Sequence, residues 1–334
     1  MTSIIRKIAA TALVIFCASH VKAQIDPHFS QYYAYPLYLN PALTGVFNGD
    51  LRITGNFKNQ YPEVNNAYQT GALSIDGRPT SRVGIGINVL DQQAGSIGFN
   101  YFTACGSFSY SISVSSDGFG KLNFGLQAGL INRCFNSAAA QFGNQFNPGS
   151  GFDPGMPSFE NFAATSAMVF DAGTGIFYYD GDPGHMVNVF GGIGIMHLAH
   201  SRDNFAYQSS NFMATPIRYT IHGGVRVNIS DSFDLMPHVL FMDQQKAQEK
   251  GIGVYSEIKS GVNSGLILGG MYRFKDAAIV DVAYHLDKLI IGASYDVNTS
   301  SLNSATAGQG GLELSISYIF HRHIQAPDPI CPRL

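Results

Sequence analysis

Along most of the chain, apolar and polar residues alternate with a period of two. Val83, Ile85, Ile87 and Val89 interleave with Gly84, Gly86 and Asn88, and Phe108, Tyr110, Ile112 and Val114 interleave with serines. Leu122, Phe124, Leu126, Ala128 and Leu130 face away from Asn123, Gly125, Gln127 and Gly129. Residues 217–229 hold one parity against Arg218, Thr220, His222, Arg226 and Asn228, and 266–274, 278–284 and 289–295 continue the pattern. The last such stretch sets Leu312, Leu314, Ile316, Tyr318 and Phe320 against Glu313, Ser315 and Ser317. A strand places successive side chains on opposite faces, so this period predicts β-strands, about fourteen of them, each with one apolar face.

The charges decide what that apolar face meets. Arg52, Arg218, Arg226, Arg273, Asp281, Asp296 and Glu313 all fall on the parity opposite the apolar residues. A soluble β-sandwich also alternates, but its outer face takes charge freely. In a membrane barrel, an Arg or Lys facing lipid near the midplane costs about 2–4 kcal/mol, which forces charge into the lumen. The expected fold is therefore all-β, a single transmembrane antiparallel up-and-down barrel. Every second connection is short, at 115–118, 180–184, 230–232 and 286–287, whereas 133–164, 199–215 and 297–310 are long. Outer-membrane barrels have short periplasmic turns and longer outside loops. The pattern predicts an outer-membrane protein in contact with lipid, with both termini periplasmic. Loops 133–164 and 199–215, the first rich in Asn, Gly and Pro, are expected to form an exposed, non-regular binding face.

Composition agrees. Charged residues make up 13% of the 334, against about 25% in ordinary soluble domains. A net charge of −3 gives nucleic acid nothing to bind. The first residues look like an export signal: Arg6 and Lys7, an apolar run from Ile8 to Ala18, then Val21-Lys22-Ala23. Cleavage is expected after Ala23; lipid attachment at Cys17 is disfavoured by the bulky Phe16. The chain then divides into a leader (1–23), an N-terminal lumen or rim segment (24–48), the barrel (49–320) and a periplasmic tail (321–334). Cys105, Cys134 and Cys331 remain, and their spacing indicates neither a disulfide framework nor a zinc site.

The segment before the first strand is the candidate functional centre. It holds Phe29, Tyr32, Tyr33, Tyr35 and Tyr38 among Pro27, Pro36 and Pro41. The prolines are expected to break any helix. A disordered linker is poor in aromatics, so this segment must pack on something. In the lumen or at the rim, Asp26, Gln31 and Asn40 would satisfy inward-facing charges. On a partner, Tyr32, Tyr35 and Leu39 would be anchors. The candidate residues are Asp26, Pro27, Phe29, Ser30, Gln31, Tyr32, Tyr35, Pro36, Leu39, Asn40 and Pro41.

The string Asp26-Pro27-His28-Phe29-Ser30-Gln31-Tyr32, followed by Tyr35-Pro36-Leu37-Tyr38-Leu39-Asn40-Pro41-Ala42-Leu43-Thr44-Gly45, resembles the opening of the PorP/SprF family of type IX secretion membrane proteins. Further similarities follow in order at Gly84 and Gly86, at Asp153-Pro154-Gly155, at residues 290–296, in the last strand and in the closing Cys331-Pro332-Arg333-Leu334. The chain departs from the family's Y-R-x-Q-W-like motif at Phe57-Lys58-Asn59-Gln60-Tyr61, and carries Gly308-Gln309-Gly310-Gly311 where a charged or His-containing stretch is common. The resemblance implies a non-enzymatic role in type IX secretion and gliding motility. The implied partners are a secreted surface protein, bound through its C-terminal sorting domain, or other secretion components such as the periplasmic lipoprotein ring of the motor.

No other chemistry competes strongly. His197 with His200 and His321 with His323 are spaced like metal ligands but lack acidic or Cys partners at matching spacing. Asp180-Gly181-Asp182 reads as a turn, Gly191-Gly192-Ile193-Gly194 as strand packing, and no nucleophile motif is present. No cofactor, metal or catalytic residue is expected. The rival reading is a porin or a transporter of small hydrophobic molecules, its lumen charges forming a constriction.

Overall fold

Alternation becomes a closed wall. The computed structural model describes residues 26–63, 68–160, 162, 164–201, 214–261 and 264–321. The expected leader with Cys17, most of loop 199–215, and the tail beyond residue 321 with His323 and Cys331 lie outside these residues. The strands are β1 (Leu51–Gln60), β2 (Tyr68–Gly77), β3 (Val83–Ala94), β4 (Phe99–Ser113), β5 (Gly120–Cys134), β6 (Phe146–Asn147), β7 (Gly151–Phe152) and β8 (Ser166–Asp180). They continue with β9 (Val187–Met196), β10 (Arg218–Ser230), β11 (Phe233–Gln244), β12 (Ala247–Gly261), β13 (Ser264–Arg273), β14 (Ala277–Leu286), β15 (Leu289–Asn298) and β16 (Gln309–Phe320). Two one-turn α-helices, α1 (Pro36–Leu39) and α2 (Asn303–Thr306), and four 3-10 turns complete the regular structure among these residues. All strands except β6 and β7 form one antiparallel barrel in chain order, closed where β1 pairs with β16 from Leu51↔Phe320 to Gln60↔Gly311. Closure matters in lipid, where an unpaired strand edge has no water to bond.

The two faces are inverted relative to a soluble protein. Ile87, Leu126 and Val280 are about three-fifths exposed, at 62%, 61% and 59%, while Arg273 and Glu313 sit at 1% and 0%. Apolar side chains outside and charges inside is the arrangement a lipid surround selects. All seven charges singled out by parity, Arg52, Arg218, Arg226, Arg273, Asp281, Asp296 and Glu313, are buried.

The connections sort by mouth. At the end where β1 begins and β16 ends, they span 78–82, 114–119, 181–186, 231–232, 262–263 and 287–288. At the opposite end they include 61–67, 135–165, 197–217 and 299–308. The first is called the short-turn mouth below, and the second the loop mouth. Loop 135–165 carries more regular structure than its composition suggested. β6 and β7 form a small hairpin, Phe146 packs on Phe152 at 5.7 Å, and Gln145 Nε2 donates to the Met156 carbonyl at 2.9 Å.

Ile87 lies mid-strand on the lipid face. Ile87→Arg is expected to lower barrel stability by about 2–4 kcal/mol, read as a fall in the urea midpoint in lipid vesicles, while Ile87→Leu leaves it unchanged. Equal midpoints for both variants would contradict a lipid-facing wall.

Candidate functional site

The lumen is occupied by the chain's own N-terminal segment. From Asp26 to Phe47 nearly every residue is buried. The prolines do not exclude helix here, contrary to the expectation from sequence. Pro36 opens α1 and Pro41 opens a 3-10 turn, Pro41–Leu43. A proline at the first helical position loses no intrahelical bond and has its φ already set. Asn40 links the two turns, its Oδ1 accepting from the Ala42 backbone N–H at 2.9 Å. A third turn, Tyr32–Ala34, lies upstream.

The segment runs the length of the barrel, and its direction is informative. Asp26 sits at the loop mouth, where its Oδ2 meets His197 Nε2 at 2.6 Å and Arg218 Nη1 at 3.0 Å. His197 follows β9 and Arg218 opens β10, both at that mouth. At the other end, Gly45 N–H donates to Asp76 Oδ2 at 2.8 Å near the short-turn mouth. Asp26 and Phe320 therefore lie at opposite mouths of the barrel. Strand parity constrains only where β1 begins; the segment before it crosses the barrel once more.

Three sets of contacts hold the plug. At the loop mouth, His197 Nδ1 also meets Asp171 Oδ2 at 3.1 Å, and Arg218 donates to the Tyr38 carbonyl at 2.8 Å while its guanidinium lies over the Tyr38 ring. Burial alone would raise the Asp26 carboxyl, but the charge and hydrogen bond of His197 and the charge of Arg218 outweigh it and hold it below the usual carboxylate range. For His197, burial opposes the charged form, yet Asp26 and Asp171 prevail and push it up from 6.5 to about 9.

The second set is a compact ionic network. Ser30 Oγ donates to Asp296 Oδ2 at 2.7 Å and accepts from Lys58 Nζ at 2.8 Å. The backbone N–H groups of Ser30 and Gln31 donate to the two oxygens of Glu313, at 2.6 and 3.1 Å. Lys58 Nζ lies 3.3 Å from Asp296, and Arg273 Nη2 donates to the same carboxylate at 2.9 Å. Gln31 completes the set, donating to Ser294 and accepting from Ser315.

The third set is steric. Gly125, Gly175 and Gly194 share one row across β5, β8 and β9. A Cβ on Gly125 would lie 2.1 Å from Ala42 N, and one on Gly175 would lie 1.9 Å from Asn40 Oδ1. These glycines form a notch that seats Asn40 to Ala42, and Asn40 Nδ2 donates to the Ile176 carbonyl there at 3.1 Å and pairs with His222 at 3.1 Å. Aromatic packing fills the rest. Phe29 meets Tyr35 edge-on at 5.4 Å, and Tyr35 hydroxyl donates to the Val89 carbonyl at 2.8 Å. Tyr33, Leu39 and Leu43 join Phe177 and Phe190 in one buried cluster.

The sequence-derived candidates thus come together, with three qualifications. Tyr32, Tyr35 and Leu39 are buried inside the barrel and are not available as anchors for a separate partner in this arrangement. Among the described residues Asn40 reaches no charged lumen group and bonds instead to Ile176, His222 and Ala42. Arg226 and Asp281 also stand apart from the plug: Arg226 pairs with Asp234, which Lys259 meets at 2.8 Å. Lys58, Asp76 and Asp171 were missed, and His197 was read only as half of a metal-spaced pair with His200. Lys58 shares the parity of Arg52 in β1, so the rule that found Arg52 could have found it.

A family model described as type IX secretion system membrane protein PorP/SprF matches residues 21–318. The chain belongs to this family. Its members are secretion-system membrane proteins, and the match spans the plug and the barrel strands up to the last two residues of β16. Comparison with curated proteins gives no match. Among solved structures, the toluene transporter TbuX of Ralstonia pickettii aligns at 11% identity with a TM-score of 0.53, over 85% of this chain and 93% of that one. A Pseudomonas aeruginosa FadL homologue aligns at 13% identity and a TM-score of 0.46, over 87% and 94%. The Pseudomonas putida toluene transporter TodX aligns at 10% and 0.47, over 89% and 95%. At these identities the likeness to TbuX establishes the outer-membrane barrel fold alone.

Breaking one side of a buried ion pair costs about 3–5 kcal/mol. Asp26→Ala is therefore expected to loosen the loop-mouth end of the plug, and amides 28–34 should exchange with solvent at least tenfold faster. Since the folded pKa of His197 lies above its ordinary 6.5, its contribution is complete below about 6.5 and is lost as pH rises through about 9. In the parent protein, the protection of these amides relative to free-peptide exchange at the same pH should fall over that window. Unchanged exchange in the variant, or protection that stays constant with pH, would contradict these loop-mouth contacts.

Proposed function

We propose that this barrel is a non-enzymatic docking partner in type IX secretion, receiving a secreted surface protein at its loop mouth and helping to export or anchor it. The observation that carries this reading is the filled lumen. A solute channel needs an open path, whereas here the chain's own segment is bonded along the wall from Asp26 to Gly45. The porin or transporter alternative is disfavoured for the same reason.

Placing the short turns in the periplasm and the long loops outside follows the usual asymmetry of such barrels. Asp26 then faces the exterior, and the segment that follows it descends to the periplasmic rim before β1. The outer loop face carries apolar groups that a solvated loop does not require. Phe159 is 83% exposed, and Phe146, Met156 and Phe162 are also exposed. Phe135 and Phe162 pack edge-on at 5.1 Å, and with Phe142 they give this loop a fixed aromatic base. Exposed aromatics on an ordered loop suit a protein partner, since such side chains commonly dominate interface energy. A C-terminal sorting domain of the exported protein is the partner this reading names.

Replacing residues 141–160 with a short Gly-Ser linker leaves the wall and plug intact. Surface delivery of the partner is expected to fall at least tenfold while barrel assembly continues. Delivery at the parental level would exclude the loop face as the receiving surface.

A further inference from the structure

Below the plug, toward the short-turn mouth, a cavity of about 120 Å³ separates it from the wall formed by β9 and β11 to β16. Asp281 lines it and is 5% exposed, yet among the described residues neither of its carboxylate oxygens has a hydrogen-bond partner. The neighbouring cations are committed elsewhere: Lys58 to Asp296 and Glu313, and Arg273 to Asp296 and Asp276. Two cations thus face four carboxylates once Asp281 is included. A buried carboxylate without a partner is costly, and the surroundings are short of positive charge.

The wall beside Asp281 is aromatic. Tyr255, Gly269 and Asp281 follow one another in a single hydrogen-bonded row, Tyr255↔Gly269 on β12 and β13 and Gly269↔Asp281 on β13 and β14. A Cβ on Gly269 would stand 2.3 Å from the Tyr255 ring and 3.1 Å from Asp281 Cβ. The missing side chain is what lets the ring lie next to the carboxylate. His238 stacks on Tyr255 with centroids 4.5 Å apart, and Tyr33 of the plug meets both His238 and Phe190 edge-on at 5.9 and 6.0 Å. All four rings line the cavity.

We infer that this cavity is a binding site for a small organic ammonium ion, its charge held by Asp281 and its methyl or methylene groups resting on Tyr255, Tyr33 and Phe190. Aromatic faces attract organic cations, and a bare inorganic ion would leave those faces unused. The volume limits the ligand to a few heavy atoms, since a cavity of roughly 150 Å³ takes a molecule the size of benzene. Binding here is separate from docking at the loop mouth and does not rest on it.

The test is calorimetric titration of the detergent-solubilised full chain with tetramethylammonium chloride, with sodium chloride at equal ionic strength as control. Saturable binding is expected for the ammonium salt alone. Asp281→Asn should weaken it at least about tenfold, and Tyr255→Leu, which keeps the carboxylate, about threefold or more. Heat-shifted electrophoretic mobility reports whether each variant forms its barrel; if Asp281→Asn does not, Tyr255→Leu decides. No saturable binding by the parent chain, equal response to sodium, or affinity unchanged in the folded variants would overturn the assignment.

Discussion

A barrel in lipid must keep charge off its outer surface, and a lumen that collects the charge must then neutralise it from within. That constraint organises this molecule. Arg273 and Lys58 on the wall share Asp296, Ser30 of the plug sits between Lys58 and that carboxylate, and the backbone of Ser30 and Gln31 closes on Glu313. The plug supplies donors that the wall alone lacks. In return, its own backbone groups find partners that an irregular segment at membrane depth needs. Wall and plug are therefore one polar structure inside an apolar shell, and neither has a satisfied interior without the other.

The plug is seated by shape as well as charge. The row Gly125, Gly175 and Gly194 makes room for Asn40 to Ala42, while Asp26 fixes the opposite end at the loop mouth. Anchorage at two depths makes the segment's register definite, which charge pairing alone would not. It also brings the start of the described chain to the same mouth as loop 135–165 and its exposed Phe159. Any partner received at that mouth would meet the loop at the same end of the barrel as the buried clasp of Asp26 with His197 and Arg218.

The wall was legible in the sequence because lipid enforces a strict period of two and penalises every misplaced charge. Arg52, Arg226 and Glu313 could be assigned to the lumen from parity alone. The aromatic and proline content of residues 26–45 likewise announced a packed segment. What could not be read was direction and register. Nothing in the spacing says that Asp26 pairs with Arg218 rather than with a group at the short-turn mouth, because that depends on which strands become neighbours. The glycine notch is invisible for the same reason: Gly125, Gly175 and Gly194 align only once β5, β8 and β9 are paired. Pro36 and Pro41 were misread because a proline that cannot sit inside a helix sits well at its first position.

The central claim is that residues 26–45 seal the lumen, and solute flux tests it most directly. Reconstituted into liposomes, the parent barrel should pass no small sugar at a measurable rate, whereas a barrel lacking residues 26–45 should swell the same vesicles rapidly. Equal flux through both would contradict the account.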